Sequence, residues 1–172
     1  ANGSILVADS GSAIQLATVT SAAGGVNVST TGDLTVGTAV EATAGNVTLT
    51  GNSLTFTGTT TAAADLSLNA TGVGLNLAVA TLTFGGNLSA TAAGAITQTA
   101  PLAVTGTTTL AAGGGLNLPE ANTFAQPVAI SGTGTMSLNV AGPVTLAQST
   151  ITGNLALTAA GAITDSGNLS VS

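Results

Sequence analysis

An apolar residue, a second one two positions later, and a glycine six positions after the first recur along the whole chain. The pattern can be laid down eight times, from Ile5, Val26, Val47, Leu66, Leu88, Thr108, Met136 and Leu155. The glycines are Gly11, Gly32, Gly72, Gly94, Gly114, Gly142 and Gly161; the Val47 copy has Ser53 there and reaches its glycine early, at Gly51. In sequence number, successive starts differ by 21, 21, 19, 22, 20, 28 and 19. A nearly fixed period of this length with two-residue apolar alternation is the mark of a solenoid in which each copy is one coil of strands. A helix does not fit, because residues at i, i+2 and i+4 scatter around a 3.6-residue turn.

Two arrangements of short strands meet the pattern. One is an antiparallel β-sandwich. The other is a parallel β-helix, whose coils stack about 4.8 Å apart. A glycine needed for positive φ or close backbone approach must return on the same corner of every coil, and a sandwich gives no reason for such a period. The expectation is a single β-helix segment over residues 1–172, with eight coils making a rod about 38 Å long. The pattern begins at Ile5 and is still running at Val171, with no cap evident at either end. Solenoids need caps against edge-to-edge association. The expected partners are therefore copies of the chain stacked end to end, or the rest of a longer solenoid.

The long interval from Thr108 to Met136 suggests an enlarged coil. Its excess falls on residues 118–127, with two prolines and a Phe, and reads as an inserted loop. Pro119, Glu120, Asn122, Phe124, Gln126 and Pro127 are the candidate binding residues of that loop; the alternative is an insertion that a solenoid surface merely tolerates.

Composition removes most other functions. The 172 residues include no Lys, Arg, His, Cys, Trp or Tyr, and the net charge is −6. Nucleic-acid and anionic-lipid binding both need cations, and there are none. No apolar run reaches the ~18 residues of a membrane span, so direct membrane insertion is not expected. Without Cys there is no disulfide and no thiolate metal site. Catalysis lacks a general base, nucleophile or oxyanion cation other than carboxylates. The carboxylates are Asp9, Asp33, Glu41, Asp65, Glu120 and Asp165, at different offsets in their coils. They are expected to be spread along the rod, so no enzyme, metal or cofactor is expected. Gly113, Gly114 and Gly115 read as a corner, since a phosphate cradle needs a following helix and Lys. Thr-x-Thr triplets at 18–20, 48–50, 55–57, 81–83 and 107–109 raise ice binding. Their offsets disagree, so no continuous Thr face is expected. Glycosylation sequons begin at Asn2, Asn27, Asn46, Asn69, Asn87 and Asn168.

The strongest internal match sets residues 87–98 against 154–165, three coils farther along. These stretches share Asn-Leu, Thr-Ala-Ala-Gly-Ala-Ile-Thr and the spacing between them. This text resembles the repeats of filamentous haemagglutinin-type adhesins, which Gram-negative bacteria export by two-partner secretion. The resemblance implies a right-handed parallel β-helix forming the shaft of an extracellular or cell-surface, bacterial adhesin or fibre. Total absence of Lys and Arg departs from typical members and keeps a specialised filament subunit in view. Three readings follow: a structural shaft, a ligand-binding adhesin module that takes a glycan or host surface protein through the 118–127 loop, and an ice-binding solenoid.

Overall fold

The computed structural model describes residues 3–77 and 82–172. Every strand pairing among them is parallel, and partners lie about one coil apart in sequence. An antiparallel sandwich is thereby excluded; the chain is a parallel β-solenoid. Among the described residues no helix is long and apolar enough to cross a membrane.

Alternation explains the stack. Successive side chains of a strand point to opposite sides, so one residue in two faces the interior of the coil. On the first face the inward positions Ile5, Val26, Val47, Leu66, Leu88, Thr108 and Val128 lie directly over one another. The second face stacks Ile14, Leu34, Leu54, Leu75, Ile96, Leu116, Met136 and Leu155. A third face carries Val19, Val40, Thr60 and Leu82, and farther along sets Val104 under Phe124. Buried side chains from all three faces fill one continuous core.

The registers correct the phase assigned from sequence. Thr108 lies against Val128, one coil on, while Met136 lies over Leu116. The first six repeat starts mark the first face, and the last two mark the second. The long interval from Thr108 to Met136 is thus one ordinary coil plus the step to the next face. Alternating apolar residues look the same on every face, which is why the change passes unseen in the sequence.

The inserted loop is corrected with it. Residues Leu116–Phe124 form a strand whose inward residues Leu118, Asn122 and Phe124 are buried. The irregularity is small: four positions from Leu118 to Asn122 face two from Leu138 to Val140. Pro119, Glu120 and Ala121 span this bulge, where a proline removes no ladder hydrogen bond.

The glycines also divide. Gly114 sits on Gly94, with its N–H 2.9 Å from the Gly94 carbonyl oxygen, and an added Cβ would lie 2.9 Å from the Gly94 carbonyl carbon. Close approach is therefore what that corner requires. Its continuation is not Gly142 and Gly161. It runs through Gly134, beside Gly115, and Gly153, which pairs with Gly134. Gly142 and Gly161 stack on each other at a different corner. Gly51 is the last residue of the strand Val47–Gly51 and lies against Ala70, so it is not a corner residue. Asn52 fills that corner, bonded through its backbone to Gly32 and Gly72. Left-handed φ occurs at Gly115, Gly132, Gly134 and Gly153, and at none of the eight repeat glycines.

Candidate functional site

The surface of the rod follows from the same alternation. On the first face, outward files run Asn27, Thr48, Ser67, Ser89, Thr109 and Ser29, Thr50, Asn69, Thr91. The second face presents Gln15, Thr35, Thr55, Asn76, Thr97, Asn117 and Ser137. These are flat ladders of hydroxyl and amide groups. Thr, Ser and Asn are mixed in these files, and on the third face Ala39 and Glu41 interrupt the Thr18/Thr20 and Thr59/Thr61 positions, so the Thr-x-Thr triplets do not align into a threonine face. Thr81 of the 81–83 triplet and the Asn2 sequon lie outside the described residues.

One corner carries a hydrogen-bonded side-chain ladder. The Asp65 N–H donates to Asn46 Oδ1 at 3.1 Å, the Asn87 N–H to Asp65 Oδ1 at 2.8 Å, and the Thr107 N–H to Asn87 Oδ1 at 2.8 Å. Each side chain thus accepts the backbone N–H that opens the next coil, a donor no strand partner satisfies. Two sequon asparagines, Asn46 and Asn87, are occupied in this way. The signal was present in the sequence: a short polar residue immediately precedes Val47, Leu66, Leu88 and Thr108.

A second polar group is buried. Asn122 Oδ1 accepts from Gln98 Nε2 at 2.9 Å and from the Leu102 N–H at 2.8 Å. Asn122 Nδ2 donates to Gln98 Oε1 at 2.9 Å and to the Asn139 carbonyl oxygen at 2.9 Å. One amide therefore ties three coils together beside the bulge. The sequence predicts Asn122 on a protruding loop; its inward position in a strand makes it structural.

The other candidate loop residues are scattered. Pro119 and Gln126 are exposed, Glu120 and Pro127 half-buried, and Phe124 buried. A shallow apolar notch of about 280 Å³ lies over Phe124, where Gly142 of the next coil offers no side chain.

The carboxylates remain apart. No group of three or more His, Cys, Asp or Glu sits together among the described residues. Asn52 Nδ2 and Ser53 Oγ each donate to Asp33 Oδ1 at 2.8 Å, and these hydrogen bonds, Asn52's foremost, hold the Asp33 carboxyl below the usual carboxylate range. Such bonds favour the charged form without a cation.

The two end coils differ from the interior. Ile5, Val7, Ile14, Val19, Leu155, Leu157 and Ala159 are only partly buried although they face the core. In the last coil Ile163, Leu169 and Val171 are 52%, 42% and 47% exposed. Parallel edges with unmade ladder bonds border these residues.

No curated protein and no solved structure matches this chain. A family model matches residues 63–131 and again 133–172, two segments that meet beside the left-handed Gly132. Covering well over half its length, these two matches place the chain in the family described as repeats of unknown function (DUF5649).

Proposed function

We propose that this chain is a structural shaft segment of a secreted or cell-surface fibre or adhesin, without enzymatic activity of its own. The observation that carries the reading is the unbroken parallel stack, whose buried side chains form one continuous core along the rod. Aliphatic files run through the coils, ladder bonds run along the axis, and corner side chains such as Asn87 reinforce them. Dispersed carboxylates and nearly uncharged outer files suit a load-bearing surface better than a reaction centre. The binding-loop reading loses its basis, because residues 118–124 belong to a core strand. Ice binding gains no support from files that mix Thr with Ser and Asn.

Electron microscopy of the concentrated chain tests the proposal. Rods longer than the ~38 Å of a single chain are expected. Isolated particles of single-chain length at every concentration would contradict it.

A further inference from the structure

We infer that the rod carries a joint on its third face, where Ala103, Val104, Thr123 and Phe124 open together while the first and second faces stay paired. This stands on the strand ladder alone and is independent of the shaft reading.

The stack is unbroken on two of its faces. On the first, pairing passes coil by coil from Ile5 to Val171. On the second it runs from Ile14 to Leu155. On the third it links residues 18–21, 39–42, 59–62 and 82–84, and there it stops. Ala103 and Val104 pair with Thr123 and Phe124 and, among the described residues, with no strand below.

One rung shows the same interruption. Where the chain leaves the third face, the Ser21, Ala42 and Ala62 carbonyls accept the N–H groups of Thr43, Ala63 and Gly85 at 3.0, 2.8 and 3.1 Å. Next in the series, the Phe84 carbonyl accepts no backbone N–H from the following coil among the described residues; Thr105 reaches the Gly85 oxygen through its hydroxyl instead, at 3.3 Å. The rung returns once, from the Ala125 N–H to the Val104 carbonyl at 2.9 Å, beside the Thr123 N–H on the Leu102 carbonyl at 2.9 Å. It is then lost again. The pairs Asn122–Val140 and Val128–Leu146 share one offset, which sets Pro143 over Ala125. Proline has no N–H, so the Phe124 carbonyl receives no rung from it. Packing does not make up for the loss, because Gly142 offers Phe124 no side chain and leaves the notch of about 280 Å³. A bonded pair with a rung missing below and another above is a unit the ladder can release by itself. Asn122, held by Gln98 and the Asn139 carbonyl, marks where the opening ends. The first two faces resist stretching at this level and the third does not, so the rod bends here with its third face outermost.

Native-state hydrogen exchange, read amide by amide and corrected for intrinsic rates, tests the joint. Ala125 and Ala63 are both exposed and make the same rung, at 2.9 and 2.8 Å, so their bonds alone predict equal protection. The joint predicts that Ala125 and Thr123 exchange at least ~10-fold faster than Ala63, while first-face residues 108–112 stay as slow as residues 66–70. Pro143→Ala supplies the missing donor above Phe124 and is expected to slow Ala125 and leave Ala63 unchanged. Exchange at Ala125 and Thr123 as slow as at Ala63 would overturn the joint. Fast exchange at residues 108–112 in step with them would overturn it too, because whole coils would then be opening. A Pro143→Ala chain in which Ala125 is no slower would overturn the missing rung as the cause.

Discussion

The coils up to Pro127 and the coils after it solve the same problem differently. In the earlier part each coil breaks at the corner after the first face, on glycine in every coil but the one with Asn52, and its strands on that face are five residues or fewer. After Val128 the strands Val128–Val140 and Ser149–Ala159 run 13 and 11 residues straight through that corner. Gly132, Gly134 and Gly153, all with left-handed φ, stand where the break had been. Ahead of the strands Val144–Leu146 and Ile163–Asp165, the corner carries Gly142 and Gly161, which stack on each other. In this region the 154–165 text lies one face on from its copy at 87–98. The difference teaches that the repeat encodes a strand, a corner and a strand, but not a particular face. Core volume and ladder geometry are close enough on each face for the text to fit any of them.

Substitutions separate the two regions. The largest effect is expected in the core. Leu68→Ala empties a buried site between covered coils and should cost about 3 kcal/mol, whereas Leu157→Ala on the half-covered last coil should cost about 1 kcal/mol. Equal losses in denaturant titrations would mean that the last coil is as closed as the interior. Asn122→Ala should cost about 2 kcal/mol, because it strands the buried Gln98 amide and the Leu102 N–H at the junction between the two regions. Gly134 has φ 86° and room for a Cβ, its nearest neighbours being 3.9 Å away, so Gly134→Ala isolates the backbone cost at about 1 kcal/mol. Gly11→Ala, with open space and no left-handed φ, should change stability by less than about 0.5 kcal/mol.

Two smaller effects belong to the earlier coils. Thr60 and Thr108 bury hydroxyls that have no hydrogen-bond partner. Thr60→Val and Thr108→Val should each raise stability by about 1 kcal/mol, measured as higher melting temperatures. The Asp33 carboxyl is held below its ordinary value, so its contribution is complete above that value and fades as pH falls through the folded one. Acid should therefore leave melting nearly unchanged down to the ordinary carboxylate range and lower it slightly below, and Asp33→Asn should remove that step.

Much of the fold was legible because burial imposes a two-residue rhythm that the sequence cannot hide. Val26, Val47 and Leu66 stand one coil apart and lie over one another. The face on which each copy sits was not legible, since Thr108 and Met136 open equally good alternating strands. Residues 118–127 misled for a physical reason. Prolines and an aromatic look like a loop, yet Pro119 occupies a bulge and Phe124 packs inward. Asn122 gave no sign of burial because its partners, Gln98 and the Leu102 N–H, lie a full coil away in sequence. The corner ladder of Asn46, Asp65 and Asn87 could have been read from the polar residue before each strand.

The change of face is best tested inside a single chain. Thr109 lies beside Ala129 across neighbouring coils, whereas one enlarged coil from Thr108 to Met136 would set Thr109 beside Ser137. A Thr109→Cys/Ala129→Cys chain should close an internal disulfide on mild oxidation and keep its melting temperature, and Thr109→Cys/Ser137→Cys should retain two free thiols. Closure of the second pair and not the first would contradict the stacking described here.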